Sequence, residues 1–301
     1  MLLVEYGDFA CKFARVADEL DLPLVVHFHG FDASMALLEP RQVRRYRSLF
    51  ARASAIVCPS EYLADRLRAV GCPPQKLHVC AYGVDSTRFT PGCRHLQQFL
   101  AVGRLVDKKA PHVTIAAFAH VAAAYPDAVL HVVGEGPLRE RCESTIQTHG
   151  LQGAVQLHGA RPAKFVADLM NSSSIFVQHS VTSASGDTEG LPVAILEAMT
   201  AGLAVVSTRH AGIPEAVTDG VSGVLVEEGD ISGMADAMLS LAADPTSARR
   251  LGDAGRTRAL AQFSRAAARD RLRRVLIDVT GAALHSWSEP DGSTDGGTCC
   301  A

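Results

Sequence analysis

The chain has 301 residues, of which 48% are hydrophobic and 20% are charged, and its formal net charge is −3. This length and composition predict a globular protein with two domains, and the lack of a basic excess argues against a nucleic-acid partner. Glu5 interrupts the first apolar stretch too early for a signal peptide, and no apolar run reaches the roughly 18 residues of a membrane-spanning helix. The sequence therefore predicts a cytoplasmic protein without a transmembrane segment.

Short apolar runs alternate with helical patterns along the first 90 residues. The strands are predicted at 2–4, 24–28, 55–58 and 77–80. Apolar spacing predicts helices from Phe9 to Leu20 and from Ser60 to Gly71. Strands that alternate with helices are typical of an open α/β sheet, so the first domain is predicted to contain one.

A second alternating series begins after Pro91-Gly92-Cys93, which marks the predicted boundary between domains at 1–92 and 93–285. Its strands are predicted near 99–103, 129–133, 155–157, 175–177, 204–206 and 223–226. These strands suffice for a complete doubly wound domain. A basic amphipathic helix is predicted at 264–278, and the Gly- and Ser-rich tail at 286–301 is predicted to be disordered.

The cysteines lack the paired spacing of a zinc site, and several lie inside apolar runs. Reduced thiols in the core are therefore expected. The eight positions are Cys11, Cys58, Cys72, Cys80, Cys93, Cys142, Cys299 and Cys300.

The stretch at 186–202 runs from a polar loop into an apolar helix. Pro192 suits the first turn of a helix and Gly202 suits the position just past its end, so a helix of about three turns is predicted between them. A helix N-terminus offers unpaired N–H groups and a partial positive charge, and Gly190 would let a ligand approach the backbone. An anion such as a phosphate is the expected occupant.

Two glutamates, Glu189 and Glu197, have seven residues between them. Their setting, Glu-Gly-Leu-Pro followed by Leu-Glu-Ala-Met, resembles the signature of the retaining glycosyltransferases of family 4. That family has the GT-B fold, in which two Rossmann-like, doubly wound α/β domains face a cleft. The resemblance implies that Glu189 holds hydroxyls of the donor sugar and that Glu197 holds the ribose hydroxyls. It also places Asp187, Gly190, Leu191 and Pro192 in the nucleotide-sugar site.

A second motif, Gly-Arg-Leu-Val-Asp-Lys-Lys-Ala at 103–110, follows the first strand of the second domain. Open α/β sheets bind ligands at this end of their strands, where two cations could hold a diphosphate. The stretch resembles the family's Gly-Arg-Leu and Lys-Gly motif. The resemblance implies that Arg104 and Lys109 stabilise the departing nucleoside diphosphate. Lys109 matches the family spacing better than Lys108, and Ala110 replaces the usual glycine.

Three further segments, with four candidate residues, match weaker family elements. Gly134 and Gly136 lie in a Gly-x-Gly-Pro turn that resembles the family's turn beside the nucleotide base. Glycines at such a turn let a flat ring approach the main chain. His29 ends a strand and matches the family position that approaches the acceptor and the donor sugar. Glu215 follows Ala-Gly-Ile-Pro, a family element in which the glutamate is more often structural than catalytic.

The acidic triplet Asp187-Thr188-Glu189 could instead bind a metal ion, as acidic motifs do in metal-dependent glycosyltransferases. Arg104, Lys109 and the helix N-terminus already supply the positive charge that a leaving diphosphate requires. We therefore expect no metal and no cofactor other than the nucleoside diphosphate sugar, which is the donor substrate.

The resemblance implies transfer of a sugar from that donor to a hydroxyl acceptor, carbohydrate or lipid-linked, in surface polysaccharide or glycolipid synthesis. This would place the protein in the cytoplasm. Peripheral contact with the inner face of the membrane would be compatible with such a role. Family members normally have about twice the N-terminal domain found here, so residues 1–92 are expected to form only part of that domain. The alternatives are a truncated, non-catalytic nucleotide-sugar-binding protein and a phosphorylase or epimerase of the same fold.

Overall fold

The computed structural model describes residues 1–90, 95 and 97–281, so the predicted boundary at 92/93 and the predicted tail at 286–301 lie outside the described residues. The strands are β1 (Leu2–Glu5), β2 (Leu24–His27), β3 (Ala55–Cys58), β4 (Leu77–Val79), β5 (Gln98–Val102), β6 (Val129–Val133), β7 (Val155–Gly159), β8 (Ile175–Gln178), β9 (Ala204–Thr208) and β10 (Val224–Val226). The helices are α1 (Gly7–Glu19), α2 (Pro40–Arg52), α3 (Glu61–Ala69), α4 (Pro111–Ala124), α5 (Arg139–Thr148), α6 (Ala163–Ser172), α7 (Val193–Ala201), α8 (Ile213–Ala216), α9 (Ile231–Ala243), α10 (Pro245–Gln262) and α11 (Arg265–Thr280). Each predicted strand is present.

The N-terminal sheet has four parallel strands in the order β1-β2-β3-β4. Successive side chains of a strand point to opposite faces, so each strand feeds two apolar layers. Leu24, Val26 and Phe28 pack against α1, α2 and α3 on one face. The opposite face of the sheet carries Val25 and Val57.

Helix α11 covers that opposite face, although it lies more than 200 residues further along the chain than β3. Val275 is buried against Val25 and Val57, and Leu272 and Leu276 pack beside it. The N-terminal sheet therefore differs from a doubly wound sheet. Its described strands lie side by side in chain order, without a reversal. A helix from the far end of the sequence covers the second face of the sheet.

The C-terminal sheet has six parallel strands in the order β10-β9-β8-β5-β6-β7. The chain builds outward from β5 to β7 and then returns to the other side of β5 with β8. This reversal is the doubly wound arrangement that the sequence predicts, and it places a topological switch point between β5 and β8. Apolar layers fill both faces of the sheet, one containing Phe99, Leu130 and Ile175 and the other Leu100 and Phe176.

Helix α7 begins after Pro192 and ends before Gly202, as predicted. Pro192 is its N-cap residue, and Gly202 adopts a left-handed conformation with φ of 79° and ψ of 30°. Glycine suits this position because it adopts positive φ without a steric cost. The helix is short, with nine residues, and most of its side chains are buried.

The described cysteines are free thiols, and four of them are buried: Cys58, Cys72, Cys80 and Cys142. Burial disfavours the thiolate and raises the pKa of Cys72 and Cys142 to about 11. The prediction of reduced core thiols is confirmed for these four.

His179 follows β8 and gives the protein an acid-sensitive position. Its ring is fully buried, and its Nε2 accepts a hydrogen bond of 2.8 Å from the backbone N–H of Gly229. Burial lowers its pKa from 6.5 to about 4. The unfolded chain therefore takes up a proton at a pH where the folded chain does not, and stability is lost as the pH falls from 6.5 towards 4.

We expect the free energy of unfolding to be about 2 kcal/mol lower at pH 5 than at pH 7 through His179 alone. Urea unfolding at pH 5 and at pH 7 measures this difference in the free energy of unfolding. His179→Gln should lower stability at pH 7 but abolish most of the difference between the two pH values. An unchanged pH difference in His179→Gln would assign the acid sensitivity to other groups.

Candidate functional site

The switch point between β5 and β8 brings the two main sequence motifs together. The loop after β5 carries Lys109, and the loop after β8 carries Glu189. Their side chains meet, with Lys109 Nζ 3.0 Å from Glu189 Oε1. Neither is a solvated surface group, because the Lys109 side chain is 16% exposed and that of Glu189 is 9% exposed.

Glu189 is an ionised carboxylate held inside the protein. Burial alone would raise its pKa, but the ammonium groups of Lys109 and Lys108 outweigh burial and hold the pKa below its ordinary value. Its Oε1 has no well-aligned hydrogen-bond donor among the described residues, despite the nearby lysine. A buried carboxylate oxygen with unused acceptor capacity fits a site that receives hydroxyl groups of a ligand.

His210 fixes the backbone at Glu189, a role that the sequence patterns did not reveal. The Glu189 N–H donates to His210 Nε2 at 3.1 Å, and His210 Nδ1 lies 2.5 Å from Glu228 Oε1. Glu228 in turn accepts a 2.8 Å hydrogen bond from the backbone N–H of Thr182. The three loops after β8, β9 and β10 are thereby joined behind the carboxylate.

Lys108 has a structural role in the site, although the family motif gives no role to this position. Its side chain is 9% exposed, and Nζ lies 3.1 Å from both Asp187 Oδ1 and the Thr188 carbonyl oxygen. Asp187 also accepts a 3.3 Å hydrogen bond from Ser34 of the N-terminal domain. Lys108 therefore ties the loop after β5 to the loop after β8.

Arg104 is exposed at the carboxyl end of β5, where it and Lys109 line the same small cavity of about 20 Å³. The two cations thus lie in one region, as predicted. Ala110 adopts a left-handed conformation with φ of 35° and ψ of 52°. This conformation explains why the resembled motif usually has glycine at this position, since a Cβ is unfavourable there.

Glu197 projects from the body of α7 and is partly buried. Burial raises its pKa, and the charge of Arg88 opposes that rise. Leu191 and Pro192 are buried at the start of the same helix, where Leu191 joins the core. Their placement makes them supports for the loop, and contact with a nucleotide stays a prediction for both.

Gly134 and Gly136 lie in the loop after β6, and neighbouring backbone explains both glycines. A Cβ on Gly134 would overlap the carbonyl of Gly103, and one on Gly136 would crowd the backbone of Leu105. The N–H of Leu105 donates to the Glu135 carbonyl at 2.9 Å in this packed pair of loops. The approach of a nucleotide base to these glycines stays a prediction.

The N-terminal domain reaches the site through His29. A Cβ on Gly190 would overlap the backbone carbonyl of His29, so close contact between the domains requires glycine here. The neighbouring carbonyl is sufficient to account for Gly190, and the approach of a ligand to this glycine stays a prediction. The His29 imidazole lies between Tyr82 and Glu5, with Nδ1 2.7 Å from the Tyr82 hydroxyl and Nε2 2.6 Å from Glu5 Oε2.

Glu215 has the structural role that its motif suggested. Its two carboxylate oxygens accept 2.8 Å hydrogen bonds from the backbone N–H groups of Glu61 and Tyr62. These N–H groups belong to the first turn of α3, so a carboxylate from one domain caps a helix of the other.

We expect Glu215→Ala to lower the free energy of unfolding by about 1–2 kcal/mol, because two charge-assisted hydrogen bonds at a helix N-terminus are lost. Chemical denaturation measures the change. Glu140→Ala, an exposed change in the first turn of α5, is the control and should stay within about 0.5 kcal/mol. A similar loss in both variants would exclude a specific role for the cap.

Two family models match the chain on either side of the interdomain connection. Residues 95–258, more than half of the chain, match the glycosyl transferases group 1 family. The chain belongs to this family. Residues 5–88 match glycosyltransferase family 4, in agreement with the resemblance seen in the motifs.

Among curated glycosyltransferases, the colanic acid biosynthesis glycosyltransferase WcaL of Salmonella typhimurium is 37% identical over 214 residues, which are 69% of this chain and 52% of the relative. The amylovoran biosynthesis glycosyltransferase AmsK of Erwinia amylovora is 34% identical over 248 residues, 80% of this chain and 61% of that protein. The chain thus spans about half to three-fifths of the length of these two relatives.

The fold agrees with solved glycosyltransferase structures. The structure of Anabaena HepE in complex with UDP and glucose matches with a TM-score of 0.77 and 20% identity, covering 92% of this chain and 78% of HepE. This chain therefore has the GT-B fold, with two Rossmann-like domains. Within the described residues, no helix has the length and apolar character needed to cross a membrane.

Proposed function

We propose that this glycosyltransferase transfers a sugar from a nucleoside diphosphate donor to a hydroxyl acceptor with retention of configuration. Surface polysaccharide or glycolipid synthesis is the proposed setting, supported by the relatives named for colanic acid and amylovoran biosynthesis. The observation that carries the proposal is the pairing of Lys109 with the buried Glu189 at the switch point of the C-terminal sheet. The cytoplasmic location and peripheral membrane contact stay predictions.

The mechanism is leaving-group stabilisation. Lys109 and Arg104 face the negative charge that grows on the diphosphate as the glycosidic bond breaks, so their attraction is strongest in the transition state. Glu189 accepts hydrogen bonds from the hydroxyls of the donor sugar, and Glu197 accepts them from the ribose. His29, on the opposite domain, lies where the acceptor and donor sugar would meet.

The donor site requires no divalent cation in this proposal. The carboxylates of Asp187 and Glu189 each lie close to a lysine ammonium, Lys108 and Lys109 respectively. A metal ion on the acidic triplet would have to compete with these two fixed cations. The Lys109 and Arg104 charges, together with the N-terminus of α7, are the proposed partners of the diphosphate.

Calorimetry with UDP, GDP and their sugars in the presence of a chelator tests donor binding. We expect one of the two nucleotides to bind without added metal. Binding that appears only with Mg²⁺ or Mn²⁺ would contradict the proposed charge partners and favour the acidic triplet as a metal site. Transfer is measured separately, with candidate hydroxyl acceptors and analysis of the anomeric configuration of the product.

The outcomes also separate the proposed enzyme from its alternatives. Donor binding without transfer to any acceptor would favour a non-catalytic nucleotide-sugar-binding protein. Cleavage of a glycoside by inorganic phosphate, or interconversion of sugar nucleotides without an acceptor, would favour a phosphorylase or an epimerase. Transfer with inversion would retain the donor site but overturn the proposed stereochemistry.

A further inference from the structure

Three side chains of types that can bind metals converge at the carboxyl ends of β1 and β2, on the other domain from the two carboxylates assigned to the donor. Glu5 pairs with His27 in the parallel register of these strands, so their side chains are neighbours on one face. His29 lies two residues after His27 and points to the same side, whereas the intervening Phe28 is buried in the core on the other face. The strand register therefore assembles the cluster.

The cluster offers one ligand atom from each residue within a small volume. Glu5 Oε2 lies 3.2 Å from His27 Nδ1 and 2.6 Å from His29 Nε2, and all three ligand atoms lie within 4.8 Å of one another. In a tetrahedral zinc site with bonds of about 2.0–2.2 Å, neighbouring ligand atoms are about 3.3–3.6 Å apart. A small movement of the Glu5 side chain, which is 53% exposed, would bring its carboxylate oxygen to this distance from both imidazole nitrogens.

We propose that Glu5, His27 and His29 bind a zinc ion, with the fourth coordination position open to water. Two imidazoles and one carboxylate are a donor set that zinc accepts in proteins, and three protein ligands are typical of zinc sites that retain an exchangeable position. The exposed Glu5 gives the ion a path from solvent, while the two histidines are mostly buried, at 13% and 22% exposure.

Tyr82 supplies an outer contact of the kind that orients zinc-bound histidines. Its hydroxyl lies 2.7 Å from His29 Nδ1, on the side of the ring opposite the proposed metal ligand Nε2. The two rings are also stacked, with centroids 5.8 Å apart and an interplanar angle of 8°. Such contacts fix the ring orientation of a metal ligand and contribute to affinity.

The test measures Zn²⁺ binding to the full chain by calorimetry with a competing chelator. The adjacent cysteines Cys299 and Cys300 are replaced by serine in every protein, because thiolates also bind zinc. We expect one site per chain. Glu5→Gln and His27→Gln should each lower the affinity by about 100-fold or more, and Tyr82→Phe by about 10-fold.

His120→Gln, which changes an exposed histidine on α4, is the matched control and should bind zinc as the parent does. Because Glu5 is exposed, Glu5→Gln should fold normally, and its circular dichroism and unfolding midpoint check this. Equal zinc affinity in the parent and Glu5→Gln would overturn the site. So would a Co²⁺ spectrum with thiolate charge-transfer bands, because the proposed ligands are nitrogen and oxygen only.

Zinc binding is measured without donor or acceptor. A protein that fails to bind zinc would therefore leave the proposed transferase function untouched. Conversely, absence of transfer would not remove the site. If the transferase proposal holds, a zinc ion on His29 would withdraw that imidazole from the acceptor, and Zn²⁺ should inhibit transfer in the parent. Glu5→Gln should be at least 10-fold less sensitive to Zn²⁺, whereas donor binding should be unaffected in both.

Discussion

Replacing Lys109 by alanine is expected to lower the turnover number of sugar transfer by about 10²–10³-fold, the usual loss when one group that stabilises transition-state charge is removed. The Michaelis constant for the donor should change less, because the diphosphate carries more charge in the transition state than in the bound substrate. Steady-state kinetics with the donor identified by calorimetry separates the two parameters.

The loss of Lys109 also leaves Glu189 without its nearest cation, so folding must be checked in the same protein. Lys109→Arg keeps the charge and should recover part of the turnover. Lys164→Ala, an exposed change on α6, is the control and should retain parental kinetics. A large rise in the Michaelis constant with unchanged turnover would assign Lys109 to ground-state binding.

Lys108→Ala provides a contrast one residue away. Its ammonium group holds Asp187 and the Thr188 carbonyl, so its removal should loosen the loop after β8. We expect reduced stability and weaker donor binding, with a smaller effect on turnover than Lys109→Ala has. If Lys108→Ala has the greater effect on turnover, the diphosphate partner is Lys108.

Glu197→Gln is expected to weaken nucleotide binding by about 1.5–3 kcal/mol, which corresponds to roughly 10–150-fold in the dissociation constant. The physical reason is the loss of a charged acceptor for the ribose hydroxyls in a partly buried position. Calorimetry with the nucleoside diphosphate alone measures this contact, since no sugar is present.

Glu189→Gln should instead reduce discrimination between donor sugars and leave the binding of the free nucleotide largely intact. The same calorimetric series with nucleotide sugars makes the comparison. Glu140→Gln, which changes an exposed carboxylate on α5, is the control for unspecific charge effects. Equal losses for nucleotide and nucleotide sugar in both variants would contradict the separate roles of Glu189 and Glu197.

Local patterns were sufficient to predict the strands and helix α7, because burial of apolar runs and the conformational preferences of Pro192 and Gly202 act over a few residues. The position of Lys109 at the sheet edge followed from the rule that parallel α/β sheets bind ligands at the carboxyl ends of their strands, whereas Glu189 was predicted only to precede a helix. Their contact at the switch point depends on β5 and β8 being neighbours, which is a long-range pairing.

Contacts between distant segments could not be predicted from local sequence patterns. Nothing near Lys108 in the chain reveals Asp187 as its partner, and nothing near Gly190 reveals the His29 carbonyl that requires a glycine there. The cluster of Glu5 with His27 depends on the register of two strands, and a slip of one residue would send one side chain to the other face.

Helix α11 has an evolutionary consequence, because the N-terminal domain is not encoded by one continuous stretch of the sequence. Its Val275 and Leu276 complete the layer over Val25 and Val57. A chimaera that joins residues 1–90 of this protein to the remainder of a relative would pair a sheet with a helix shaped for a different surface. Such mismatched packing commonly costs about 1–3 kcal/mol. Exchange of the N-terminal domain between family members should therefore succeed best when both segments are inherited together.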